Sequence, residues 1–168
     1  MGESNLNRYG VWKGGPVTPE QAKAIEDLGY GSVWIGGVFT SDLAYVEPLL
    51  DATENLTVAS GIVNIWTSPV DEIAAAFHRI EAAYPGRFLL GVGAGHAEAS
   101  AEYRKPYDAL VEYLDGLDAA GVPTERRALA ALGPKVLKLS ADRTAGAHPY
   151  LTTPEHTREA RQIIGPDA

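Results

Sequence analysis

Four imidazoles, at His78, His96, His148 and His156, are the side chains of this 168-residue chain whose ordinary pKa lies near neutral pH. His96 closes the run Gly91-Val92-Gly93-Ala94-Gly95, and His148 lies in Ala145-Gly146-Ala147-His148-Pro149-Tyr150-Leu151. Both follow β-prone apolar stretches, where a ring can face a cleft at the end of a strand. There a neutral imidazole can hydrogen-bond a ligand and a protonated one can help to move a proton, so His96 and His148 are the catalytic candidates. The plainer role, a hydrogen bond to the following helix, is the commoner fate of such a histidine. His78, beside Arg79, and His156, in a first helical turn, read as surface residues. There is no Cys, which excludes disulfides, thiolate nucleophiles and Cys-ligated metals. No carboxylate pair and no His-x-x-x-His marks the strand ends, so paired-carboxylate hydrolysis and zinc catalysis lose support.

Glycine is the other resident of the strand ends. Gly91 to Gly95 resembles a dinucleotide fingerprint but fails on spacing: counted from Gly91 the last glycine falls on His96, and counted from Gly93 it falls on Glu98. Gly133-Pro134, between a strand and a helix, exposes the N–H groups of a helix start and is a ready anion site, although Pro134 removes one donor. Trp12-Lys13-Gly14-Gly15, Gly36-Gly37 and Gly61-Ile62-Val63-Asn64 complete the set. Small residues at strand ends suit a flat ligand laid close to the backbone.

The elements that must position these residues alternate. Tyr9–Trp12, Ser32–Ile35, Leu56–Val63, Arg87–Val92, Ala128–Leu132 and Ala145–Leu151 read as six strands, most of them continuous apolar runs of the kind buried on both faces. Thr18-Pro19-Glu20-Gln21 starts the first helix as a capping box with Pro at its first position, with Ala22, Ile25 and Leu28 on one face. Further helices are expected over 42–53, with Pro48 as a blemish, over 73–83 behind Ser68-Pro69, over 106–119, over 135–143, and from Thr153-Pro154 to Ile164. Such alternation implies parallel strands and right-handed crossovers. An open doubly wound sheet and a (β/α) barrel both accept it.

Composition narrows the setting. Lys and Arg number 14 against 22 Asp and Glu, a net charge of −8 that disfavours a phosphate-tracking nucleic-acid surface. The apolar share of 45% and charged share of 21% are those of a globular domain. With 18 Gly and 11 Pro the chain has an excess of turn residues, in keeping with many short connections. No stretch approaches the ~20 apolar residues of a membrane span, and Met1–Gly10 lacks a secretory pattern. A single cytoplasmic domain over 1–168 is expected.

Taken together, Tyr9-Gly10-Val11-Trp12, Leu28-Gly29-Tyr30, Val33-Trp34-Ile35-Gly36-Gly37, Thr57 to Asn64, Pro85 to Gly93, Ala130 to Lys135 and Ala145 to Tyr150 resemble the bacterial luciferase-like monooxygenase superfamily. The resemblance extends to its actinobacterial branch of probable oxidoreductases dependent on the deazaflavin coenzyme F420. It implies an α/β fold of the (β/α) TIM-barrel type, with about six βα units here and the last two absent. It also implies F420, or alternatively FMN, at the strand ends and hydride transfer to or from a small organic substrate. Family members often carry a non-prolyl cis peptide on the third strand, matching Gly61, Ile62, Val63 and Asn64. The cofactor phosphate falls at Gly133, while Gly93 and His96 line the ring or its tail. Trp12, Gly36 and His148 complete the expected site, with no metal. Gly36-Gly37 stands where relatives often have an acid or a His, and the chain stops where they continue. Both departures keep a non-catalytic cofactor-binding or remnant subunit open as the alternative. Uncovered sheet edges lead us to expect a homo-oligomer, a dimer in the simplest case.

Overall fold

The computed structural model describes residues 9–37, 40–95 and 105–165. In chain order the elements are β1 (Gly10–Gly14), α1 (Pro19–Asp27), β2 (Ser32–Gly36), α2 (Glu47–Asp51), β3 (Thr57–Ser60), β4 (Val63–Asn64), α3 (Val70–Ala83), β5 (Phe88–Gly93), α4 (Pro106–Ala119), β6 (Arg127–Leu129), α5 (Pro134–Arg143) and α6 (Pro154–Ile164). Every described ladder is parallel: β1 with β2, β2 with β3, β3 and β4 with β5, and β5 with β6. A further parallel bridge joins Leu129 to Ala147. Strands therefore lie side by side in sequence order. A doubly wound sheet reverses direction at a switch point, whereas a barrel wall does not. The choice left open by spacing falls to a partial (β/α) barrel.

The two faces of the wall differ. Val33, Ile35, Val58, Phe88, Leu90 and Leu129 point outward into the main core, against Ala22, Ile73, Phe77, Ile80, Leu114 and Leu117 of the helices. Ala59, Leu89 and Ala128 point inward, with Trp34 packed on them. This period-two division is hidden in the sequence because both faces are apolar.

β3 and β4 are one strand interrupted by a bulge. Ala59 pairs with Leu89 and Val63 with Val92, so the third strand holds one residue more than β5 over the same span. The Gly61–Ile62 peptide within it is cis. The Ser60 hydroxyl closes the gap in the ladder: Oγ accepts from Gly91 N (2.8 Å) and donates to Gly91 O (2.9 Å). Only glycine fits at 91, because a Cβ there would lie 2.0 Å from Ser60 O.

Local signals explain most helix starts. Thr18 Oγ1 accepts from Gln21 N and Gln21 Oε1 from Thr18 N, the expected capping box. Thr153 caps α6 by accepting from His156 N. Four expectations need correction. The second helix is confined to Glu47–Asp51: Pro48 has no N–H and sits in its first turn, while Asp42 Oδ1 accepts from Ala44 N and holds the preceding residues in a turn. Helix α3 starts at Val70 with Pro69 as an N-cap that makes no side-chain bond. The sixth strand is a single bridge at Ala147, ending where Pro149 can no longer donate. Leu28 is exposed, not part of the buried face of α1.

The end of the wall opposite the strand C-termini is pinned by charge. Arg87 donates to the carbonyls of Leu50, Thr53 and Leu56 and to Thr53 Oγ1. Glu26 of α1 accepts from the N–H groups of Glu54, Asn55 and Leu56. Arg127 is buried against Asp118, which also binds Arg143. Such contacts hold helix to strand at this end and leave the other end of the wall free for ligands.

Candidate active site at the strand ends

The C-terminal ends of the strands open into a cleft of about 500 Å³. Trp12, Gly61, Ile62, Asn64, Gly133 and His148 all line it, so these sequence-predicted residues converge on one place. A second depression, of about 300 Å³, lies on α4 among Lys105, Asp108, Ala109 and Glu112, away from the strand ends.

Trp12 organises the floor. Its Nε1 donates to Gly61 O (3.2 Å), the first carbonyl of the bulge. The indole lies across three strand ends and finds glycine at each. A Cβ would stand 2.4 Å from its Cζ2 at Gly36, 3.0 Å from Nε1 at Gly61 and 3.4 Å from Cη2 at Gly14. Trp12 stays 45% exposed and meets Tyr150 at 5.8 Å between ring centroids, tilted by 54°.

His148 forms one wall. Its ring stacks on Trp34 at 4.4 Å and 8°, and its Nε2 lies 3.5 Å from where a Cβ on Gly61 would be. Among the described residues no group hydrogen-bonds this ring. Burial holds its pKa below the usual 6.5, so near pH 7 it is a neutral imidazole with an acceptor nitrogen. Asn64, buried at the end of the bulged strand, accepts from Trp66 N at Oδ1 (3.0 Å). Its Nδ2 crowds Gly95, where a Cβ would come within 3.1 Å.

The opposite wall is the start of α5. Gly133 is its N-cap, with extended backbone (φ −82°, ψ 154°) and no side-chain cap bond. A Cβ at Gly133 would meet nothing within 4 Å. Pro134 has no N–H and Val136 N donates to Gly133 O (3.1 Å), which leaves the Lys135 N–H, among the described residues, as the donor of this turn without a backbone partner and open to a ligand. Lys135, in the same turn, rests 3.6 Å over the Tyr107 ring.

Three predicted residues stand apart. Gly36 is buried beneath Trp12 and supports the floor without lining it. Val63 points outward into the main core, since Ile62 and Asn64 on either side take the inner face. Gly93 packs against Ala130 Cβ and Ile62, where its own Cβ would clash. His96 lies outside the described residues. Gly37 and Tyr150, at strand ends in the sequence but outside the expected site, also line the cleft, and sequence reasoning missed Leu110 and Val136. Leu110 and Val136 read as helix core and carried no usable signal. His156, read as surface, is half-buried and bonds Leu132 O through Nε2 (2.8 Å), tying α6 to the cleft rim.

Comparison with known proteins bears on this geometry. A model of the luciferase-like monooxygenase family matches residues 16–121, more than half of the chain. Among solved structures, the coenzyme F420 dependent tetrahydromethanopterin reductase from Methanopyrus kandleri superposes with a TM-score of 0.73 at 16% identity, covering 93% of this chain and 59% of its own. The oxygenating constituent of 3,6-diketocamphane monooxygenase from Pseudomonas putida, in complex with FMN, gives 0.68 at 13% identity, covering 87% and 55%. Monooxygenase RslO1 from Streptomyces bottropensis gives 0.66 at 14%, covering 87% and 57%. At these identities the likeness speaks for the fold, and the chain spans less than two thirds of each of these structures. No curated protein matches the sequence.

Proposed function

Because the chain belongs to the luciferase-like monooxygenase family, we propose that its strand-end cleft binds a flavin-type cofactor and that the protein is an oxidoreductase acting on a small organic substrate. The observation that carries this is convergence: the Gly61–Ile62 bulge, the neutral ring of His148 and the open N-terminus of α5 face one cleft. The donor set fits such a group. An uncapped helix start suits a phosphate, and glycine at 133 leaves room against the backbone. When bound, the cofactor supplies hydride or oxygen chemistry that side chains lack.

The chain's own residues do the rest. Gly61, Ile62 and Asn64 would support the ring, with Trp12 holding the Gly61 carbonyl in place. Gly133 and the Lys135 N–H at the start of α5 would hold the phosphate. His148, fixed on Trp34 and facing the cleft through Nε2, would accept a proton from substrate or hold one at that atom. Coenzyme F420 is our first choice of cofactor, in line with the sequence resemblance, with FMN as the alternative. We further place the protein in the cytoplasm as a homodimer of single-domain chains. The support is that β1 pairs only with β2 among the described residues, and that no described helix is long and apolar enough to cross a membrane.

One observation favours a second reading, a cofactor-binding subunit without turnover: Trp12 fills the space above Gly36, so the end of the second strand lacks the acid or His that the sequence resemblance leads one to expect there. Fluorescence titration of the whole chain with F420 and FMN, followed by turnover assays of wild type and His148→Ala, separates the readings. Saturable binding with His148-dependent turnover supports the enzyme, and binding with no turnover supports the subunit. Absence of binding to both cofactors overturns both.

A further inference from the structure

The aromatic floor of the cleft is more specific than cofactor binding alone requires. Trp12 is the large side chain of the floor that is held from beneath and left open above. Its edge is fixed by the Gly61 carbonyl, its underside by Gly14, Gly36 and Gly61, and 45% of it is exposed. A tryptophan immobilised this way has already lost its rotamer freedom, so a ring placed on it gains contact at little further entropic cost. Tyr150 stands across from it, tilted by 54°, and is 45% exposed. The two rings touch each other, so Tyr150 borders the exposed part of the indole and leaves its remaining surface as a flat platform.

The charge of the wall points the same way. None of the described residues lining the cleft is Asp, Glu, Lys or Arg, and His148 is held neutral by burial. Its remaining polar side chains, Asn64 and Tyr150, are uncharged. A carboxylate or ammonium resting on these rings would give up water without meeting a counter-charge. Lys135, between the lining residues Gly133 and Val136, lies on Tyr107 and does not line the wall.

We infer that Trp12 and Tyr150 form the substrate subsite of this cleft and select a flat, uncharged ring system stacked on the exposed indole face. This rests on the reading of the cleft as a cofactor site, which occupies the bulge and the α5 end and leaves the Trp12 side for the substrate.

Equilibrium dialysis of the whole chain, with and without saturating FMN or F420, tests it with three probes of one skeleton. These are 2-naphthol (flat, uncharged), 2-naphthoate (flat, charged) and decahydro-2-naphthol (uncharged, not flat). Wild type should bind 2-naphthol about tenfold more tightly than either of the others, the size of one stacking contact. Trp12→Ala should lose about tenfold in 2-naphthol binding, and Trp12→Phe, which keeps a flat ring, less than about threefold. Tyr150→Leu, which leaves the Trp12–Gly61 hydrogen bond in place, should also weaken 2-naphthol and serves if Trp12→Ala fails to fold. Equal binding of 2-naphthoate, or 2-naphthol binding unchanged in Trp12→Ala and Tyr150→Leu, overturns the inference. So does a parallel loss of cofactor affinity in Trp12→Phe and Tyr150→Leu, since the indole would then serve the cofactor ring. If wild type binds neither cofactor yet takes 2-naphthol on Trp12, the cofactor reading fails and the subsite stands.

Discussion

Replacing Ser60 by alanine tests whether one hydroxyl sustains the bulge on which the site is built. Ser60 is 1% exposed. Its Oγ serves both the N–H and the C=O of Gly91, at 2.8 and 2.9 Å. Ser60→Ala deletes both bonds and leaves a buried donor unsatisfied. A stranded buried N–H costs about 1–3 kcal/mol, more than the net worth of an ordinary hydrogen bond. For a domain of this size roughly 2–4 °C of melting temperature corresponds to each kcal/mol. A loss of about 2 kcal/mol should therefore lower Tm by about 4–8 °C.

The control is Ser140→Ala. Ser140 is equally buried, but its hydroxyl donates to Leu137 O within α5. Alanine is the better helix former, so Tm should move by less than about 2 °C. Amide exchange adds a local readout, because the Gly91 N–H should lose protection in Ser60→Ala by more than its strand neighbours. A shift below about 1 °C with Gly91 protection intact would refute the reasoning. It would show that the strands close the ladder without the hydroxyl.

Three further outcomes are expected. Gly36→Ala puts a Cβ 2.4 Å from Trp12 Cζ2 and 2.9 Å from Gly61 O; it should cost about 1–3 kcal/mol and red-shift the tryptophan emission as the indole lifts off, so an unchanged spectrum and melt count against the floor described here. At Glu26, burial opposes the charge, but N–H donors from Asn55, Glu54 and Leu56 outweigh it and hold the pKa below the usual carboxylate range. Its contribution is present above the unfolded value and is lost as pH falls through the folded one, so the Tm gap between wild type and Glu26→Gln should be wide at pH 7 and close in acid. His148 has the opposite chemistry: burial lowers its pKa from 6.5, the unfolded chain takes up the proton first, and stability falls as pH drops below that value. His148→Phe should flatten that part of the pH profile of Tm, and an unaltered slope removes His148 as its source.

What the sequence revealed depended on how local the cause was. Thr18-Pro19-Glu20-Gln21 and Thr153-Pro154 specify their helices within four residues, and both caps form. The parallel βα alternation was legible from apolar runs and turn residues, but the ordering that makes it a barrel needed strand pairing. The bulge position followed from the family resemblance of Gly61 to Asn64. Its extra residue is invisible to periodicity, because a strand buried on both faces has no alternation to break. For the same reason Val63 and Ile62 could not be assigned to opposite faces. Gly36 read as a cleft residue because nothing nearby in sequence covers it. Its cover is Trp12, on the neighbouring strand and 2.4 Å from a would-be Cβ.

Glycine at a strand end is ambiguous in sequence because three different neighbours can demand it. At Gly91 and Gly93 the neighbour is the adjacent strand, where a Cβ would lie 2.0 Å from Ser60 O and 2.7 Å from Ala130 Cβ respectively. At Gly36 it is Trp12. At Gly133 a Cβ would meet nothing within 4 Å, and the backbone is extended with negative φ. No steric contact therefore demands glycine at 133, where the N-cap position favours it only modestly. Gly133→Ala should leave the fold intact, with Tm changed by less than about 3 °C, since alanine's poorer N-capping opposes the freedom lost by the unfolded chain. If a cofactor phosphate sits on the α5 N-terminus, the added methyl should weaken cofactor binding while stability holds. Gly133→Asp, which places a negative charge beside the Lys135 N–H, should weaken it by more than about tenfold. Full affinity for F420 and FMN in both variants, with unaltered melting, would take the phosphate away from α5 and leave Gly133 as an exposed turn residue with no part in the site.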